Sequence, residues 1–156
     1  MLFNCEPPGD FFLFNPAKEE SCKKEILAGA GLKVTPQRIA VLEAVRELKN
    51  HPTAENVIDF IKTNHPNIAT GTVYKTLETF VEKGLIKKVK TDRDIMRYDA
   101  ITDTHHHLYS SATDRIEDFT DPELHRMIGK YFETHKIPNF KIEDIKLQII
   151  GEFLTG

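Results

Sequence analysis

Proline and its polar neighbours cut residues 35–84 into three short pieces, and this punctuation limits the fold more than anything else in the chain. Thr35-Pro36 reads as a helix N-cap followed by proline at the first helical position. Ile39, Leu42 and Val45 follow at helical spacing, with Val41 and Leu48 widening the apolar stripe. Asn50-His51-Pro52 breaks that helix, because proline cannot extend the hydrogen-bond ladder. Thr53 caps a second helix carrying Val57, Phe60 and Ile61, which breaks at Asn64-His65-Pro66-Asn67. Thr70 is expected to cap a third, with Val73, Leu77, Phe80 and Val81 on one face and Gly84 as its left-handed stop. Three short helices with tight turns make a helix-turn-helix core.

Beyond Gly84 the apolar period changes. Residues 85–90 read as a strand, 91–94 as a turn and 95–99 as a returning strand, a basic hairpin placed as the wing of a winged helix. Upstream, Ser21 is expected to cap a short helix through Lys23, Ile26 and Leu27. Residues 1–20 form an extension without clear periodicity, in which Phe11, Phe12 and Phe14 can pack on the body. Downstream of a linker at 101–104, strands are expected from His105 to Ser110 and from Arg115 to Phe119. Asp121-Pro122 opens a helix with Leu124, Met127, Ile128, Tyr131 and Phe132 on one face, and a β-rich run from Ile142 to Ile150 follows. The fold class is α+β: an N-terminal winged helix-turn-helix domain (21–100) and a C-terminal α/β domain (105–156). About fifty residues ordered β-β-α-β bury little apolar surface alone, so the second domain is expected to pair with another copy as a homodimer.

Composition narrows the function classes. No apolar run approaches a membrane span, and the first residues lack the basic region and cleavage site of a secretory signal, so a cytoplasmic protein with no membrane partner is expected. Cys5 and Cys22 are the only cysteines. They are expected to be unpaired and reduced, and they cannot supply a four-cysteine structural zinc site from one chain. The formal net charge is −3, yet residues 62–98 hold 8 basic residues against 4 acidic, which suits an anionic partner. On the third helix the side turned away from the apolar stripe carries Thr72, Tyr74 and Lys75, with Thr70 at its start. Hydroxyls and free N–H groups there suit phosphates, and Tyr74 and Lys75 suit a major groove. A protein-binding winged helix, with Tyr74 as a surface aromatic, is the other reading.

His105-His106-His107 is the chemical signal. On a strand, His105 and His107 share one face and His106 takes the other. Two imidazoles on one face are half of a metal site, and Asp99 and Asp118 can supply carboxylates from neighbouring strands; the alternative is a solvated surface triplet.

Taken together, residues 31–38 (Gly-Leu-Lys-Val-Thr-Pro-Gln-Arg), 51–55 (His-Pro-Thr-Ala-Glu), 69–77 (Ala-Thr-Gly-Thr-Val-Tyr-Lys-Thr-Leu) and the histidine triplet resemble the ferric uptake regulator (Fur) superfamily, from about residue 21 to the end. The resemblance implies a dimeric, metal-dependent repressor that binds a double-stranded DNA operator, not an enzyme. It implies metal ligands at His51, Asp99, His105, His107 and Asp118. Lys33 would approach the minor groove and Tyr74 with Lys75 the major groove, Arg38, Thr70 and Thr72 completing the DNA-binding set. Asp118, where iron-uptake regulators typically carry Glu, points to the peroxide-sensing branch (PerR), in which a ligand histidine is oxidised; His51 and His105 are the candidates. Adjacent Glu117 would face the other way. The sequence departs from many relatives in having Ser110, Thr113, Phe153 and Gly156 where two Cys-x-x-Cys pairs are expected. A second metal site of several relatives also looks incomplete, with His106 present but Glu143-Asp144-Ile145 where histidines often stand. Three imidazoles and two carboxylates suit Fe(II) or Mn(II), with Zn(II) as a competitor. An iron-responsive uptake regulator is the runner-up. A non-haem iron enzyme and a protein-binding adaptor are the readings from other classes.

Overall fold

The computed structural model describes residues 16–100 and 105–155. The expectations for Phe11, Phe12, Phe14 and the 101–104 linker lie outside them. Residues 16–90 with 94–100 form one compact unit, and residues 91–93 with 105–155 form another.

The first unit contains helices α1 (Pro16–Gly29), α2 (Pro36–Glu47), α3 (Ala54–Asn64) and α4 (Thr70–Glu82) and the strands β1 (Lys87–Lys90) and β2 (Met96–Asp99). α2 packs against α1, α3 and α4. Leu27, Val41, Leu42, Val45, Val57, Ile61, Val73, Leu77 and Phe80 are buried together at the centre, with Ile86 and Tyr98 from the hairpin. The punctuation acts as the sequence suggests in two of three places. Thr35 Oγ1 accepts from Arg38 N at 3.3 Å with Pro36 in the first turn. Thr53 and Asn56 close a reciprocal capping box, at 3.2 and 3.0 Å. At α4 the cap is Ala69, which makes no side-chain bond, and Thr70 is already helical. The start of α4 therefore lacks a side-chain acceptor for its first N–H groups. Gly84 ends this helical segment with φ +71°. α1 begins at Pro16, so Ser21 lies inside it rather than at its cap. Cys22, expected as a reduced thiol, is disulfide-bonded.

The second unit contains β3 (His106–Ser110), β4 (Arg115–Phe119), α5 (Pro122–Thr134) and β5 (Gln148–Ile150). The sheet order is β4-β3-β5, with β3–β4 antiparallel and β3–β5 parallel. Asp121 caps α5 through Glu123 N and Leu124 N. The expected β-rich run from 142 shrinks to the three residues of β5. Of its apolar side chains only Tyr109 and Ile116 are fully buried among the described residues; α5 has no buried residue. Met127, Tyr131, Ile149 and Ile150 stand exposed. Arg93 donates to the carbonyls of Ser111 and Ala112 at 3.0 and 3.1 Å. Phe153, at one of the positions where many relatives would have a cysteine, lies under the Arg115 guanidinium at 4.2 Å. No helix among the described residues is long and apolar enough to cross a membrane.

Removing the one reciprocal box should be felt in the first unit. Thr53→Ala is expected to lower stability by about 1 kcal/mol, read as a fall in the urea unfolding midpoint.

Candidate metal centre

Two donor groups form, one in each unit, and strand register explains both. In the second unit, antiparallel pairing sets His107 directly opposite Asp118. His105 lies two residues before His107 and therefore on the same face. The result is a triangle of ligand atoms: His105 Nε2 to His107 Nε2 at 3.1 Å, His105 Nε2 to Asp118 Oδ1 at 3.3 Å, and His107 Nε2 to Asp118 Oδ1 at 3.8 Å. Both imidazoles are buried, and the Asp118 side chain is 32% exposed. Glu117 faces away, paired with Arg115, so of the two acids it is Asp118 that the register sets on the histidine face.

In the first unit, Tyr98 N donates to Pro52 O at 2.9 Å, and Thr53 pairs with Arg97 across an antiparallel bridge. Continuing that register by two residues sets His51 against Asp99. Their side chains meet with Nδ1 to Oδ1 at 3.9 Å, both buried. The His51 carbonyl accepts from Arg97 Nη1 at 3.0 Å. Sequence reasoning passed over Arg97, whose only signal is its place two residues before Asp99 on one strand.

Donors that bind one transition-metal ion at bonding distance sit about 3.0 Å apart at right angles and about 3.4 Å apart at tetrahedral angles. Two edges of the triangle in the second unit, at 3.1 and 3.3 Å, fall in that range, and the third, at 3.8 Å, requires a wider angle at the ion. The donors are imidazole nitrogen and carboxylate oxygen without sulfur, a set of intermediate hardness.

His106 does something different. Its ring is buried on the opposite face, and Nδ1 accepts from Leu147 N at 3.2 Å, holding the segment ahead of β5. Burial, with nearby His125, His105 and His107 adding to it, keeps its pKa below the ordinary histidine value. The neutral ring that accepts at Nδ1 carries its proton on Nε2. Of the other histidines, His65 is the C-cap of α3, His135 stacks on Tyr131, and His125 is exposed on α5 with its ring tilted towards His106.

The residues expected at DNA lie in the first unit. Thr70, Thr72, Tyr74 and Lys75 are exposed on the first turns of α4, Tyr74 by 44%. Lys33 is exposed, and half-buried Arg38 donates to the Lys33 carbonyl at 2.8 Å. Glu78, exposed on α4, binds Lys88 of β1 at 2.8 Å, and Lys90 pairs with Asp94 at 2.7 Å. The first pair links the hairpin to α4, the second lies within the hairpin, and both offset part of its positive charge.

Known proteins resemble this chain in sequence and in fold. A profile of the Ferric uptake regulator family matches residues 29–150. The Peroxide operon regulator of Bacillus subtilis is 32% identical over 127 residues, 81% of this chain and 86% of that protein. The Ferric uptake regulator of Pseudomonas aeruginosa, solved with manganese, superposes with a TM-score of 0.72 at 23% identity, covering 85% of this chain and 98% of that one. The peroxide stress regulator of Campylobacter jejuni superposes with a TM-score of 0.65 at 21% identity, covering 91% and 98%. The chain belongs to the ferric uptake regulator family, and it is a transcription regulator rather than an enzyme.

The task of His106 can be separated from metal binding. His106→Leu leaves Leu147 N–H without its acceptor, and a loss of about 1–2 kcal/mol is expected in urea unfolding of the metal-free protein, with Mn(II) affinity nearly unchanged.

Proposed function

We propose that this protein is a metal-dependent, peroxide-responsive repressor. His51 and Asp99 from the first unit, and His105, His107 and Asp118 from the second, serve one ion, Fe(II) or Mn(II), with Zn(II) as a competitor. The observation that carries the reading is the triangle of His105, His107 and Asp118, with aspartate rather than glutamate across from His107. The likeness to the Bacillus subtilis regulator supports it.

The chain's own residues divide the work. The imidazoles must be neutral to offer lone pairs, and the two carboxylates offset the charge of a divalent ion. Ligands drawn from both units make binding depend on how the units are arranged. An ion that prefers the DNA-competent arrangement then shifts the population towards it. Bound iron would supply the redox chemistry by which peroxide attacks a neighbouring ring. In the net reaction one imidazole C–H becomes C–OH while H2O2 becomes water, a gain of one oxygen atom. His51 and His105 are the rings placed to take it. Oxidation of either weakens a ligand and loosens the clamp, and a manganese-loaded protein would go on repressing. The iron-responsive alternative shares every ligand and differs only in whether peroxide ends binding.

On the DNA side, α4 lies in the major groove with its uncapped N-terminus, Thr70 and Thr72 at phosphates and Tyr74 and Lys75 at bases. Lys33 approaches the minor groove, and Arg38 completes the DNA-binding set. The exposed apolar residues of α5 and β5 are covered by a second copy, which gives the two reading helices a fixed spacing on a cytoplasmic operator.

Two experiments follow. Mass spectrometry of the iron-loaded protein after brief peroxide treatment is expected to find one added oxygen on His51 or His105 and none in the manganese-loaded protein. Unmodified histidines, with operator binding of both forms surviving equally, would favour the iron-responsive reading. Separately, Tyr74→Ala should weaken operator binding by about tenfold or more, while leaving Mn(II) affinity at the parental value in equilibrium titration.

A further inference from the structure

The chain enters His51 through an unusual backbone. Leu48 closes α2 in right-handed geometry, its N–H bonded to Ala44 O at 3.0 Å. The next three residues, Lys49, Asn50 and His51, all have positive φ, at 33°, 56° and 58°, and none is glycine. Consecutive left-handed residues cost free energy for L-amino acids, with asparagine the best tolerated of the three. His51 is disfavoured twice, because a residue before proline is pushed towards extended geometry. The other described non-glycine residues with positive φ are single asparagine or aspartate residues: Asp94, Asp114 and Asn139. Lys49 and His51 alone break that rule, and they do so in a segment that also carries a candidate ligand. Strain of this kind persists only where surrounding contacts over-determine it.

The contacts that hold it come from β2. Tyr98 N binds Pro52 O at 2.9 Å, and the backbone of Arg97 bridges Thr53. The Arg97 side chain then reaches past Pro52 and donates from Nη1 to the His51 carbonyl at 3.0 Å. Arg97 and Asp99 are two residues apart on one strand and therefore share a face. The guanidinium grips the His51 main chain while the Asp99 carboxylate meets its ring at 3.9 Å.

We propose that Arg97 is a positioning residue for metal capture. Its guanidinium pins the left-handed run at residues 49–51 and thereby fixes His51 Nδ1 beside Asp99. The inference rests on the reading of His51 as a ligand. Electrostatics and positioning make opposite predictions here, which makes the proposal sharp. A cation beside a metal site repels the ion, so on charge alone removing Arg97 would tighten binding. Positioning requires the reverse.

The test is Mn(II) affinity of the full-length protein, followed by electron paramagnetic resonance of the free ion, with circular dichroism of the metal-free protein to confirm folding. Arg97→Met, which keeps the apolar stem, is expected to weaken Mn(II) binding by about tenfold or more, as loss of a charge-assisted hydrogen bond and of ligand placement implies. Adding Lys49→Gly and Asn50→Gly to that variant supplies residues that accept positive φ without steric penalty, and is expected to bring affinity back to within about threefold of the parent. Unchanged or tighter binding by Arg97→Met overturns the proposal. So does a loss that the two glycines leave unrelieved. His51→Ala separates the underlying reading: parental affinity in that variant would remove His51 from the ligand set. Weakening in His51→Ala with none in Arg97→Met would refute the positioning role alone.

Discussion

Among the described residues, antiparallel register twice places an imidazole across from a carboxylate, and the proposed metal chemistry depends on those two pairings. His107 faces Asp118 because β3 and β4 pair as they do. His51 faces Asp99 because the segment before α3 pairs with β2. A slip of one residue in β4 would exchange Asp118 for Glu117, which in the observed register is held by Arg115 on the other face. Asp99 is buried beside His51, and Asp118 stands partly exposed beside His105 and His107; a divalent cation would suit both carboxylate–imidazole groups.

The two units solve the problem of stability differently. The first has an apolar interior supplied by four helices and the hairpin. The second is buried largely through His105, His106, His107, Ser110 and Tyr109, with Ile116 as its one fully buried aliphatic residue among those described. In that unit the residues that offer lone pairs to an ion are also the residues that make the interior. On the proposed reading, ion binding and folding would therefore be linked there more tightly than in the first unit. The exposed Met127, Tyr131, Ile149 and Ile150 leave further apolar surface to be covered.

Much of this was legible before any coordinates. The helix breaks were, because proline, threonine and glycine act locally: Thr35, Thr53 and Gly84 do what their neighbours in sequence dictate. The sharing of a face by His105 and His107 was, because period-2 alternation needs only a strand. The Ala69 cap was not, since a helix start without a side-chain acceptor leaves no polar signature. The disulfide at Cys22 was not, because pairing is a matter of approach in space. The shortness of β5 was missed because isoleucines in a β-rich run also serve as exposed apolar surface. Least legible was the positive-φ run at 49–51, which depends on Arg97 and Tyr98 nearly fifty residues away along the chain. Propensity at Lys49 and His51 argues against it, and tertiary contact wins.

The central claim is that five side chains from two units gather on one ion. Anomalous diffraction at the manganese edge from crystals of the Mn(II)-loaded protein tests it most directly. The account requires one peak per chain, at bonding distance from His51, Asp99, His105, His107 and Asp118 together. Separate peaks at the two donor groups, or one peak that leaves His51 and Asp99 uncoordinated, would contradict it.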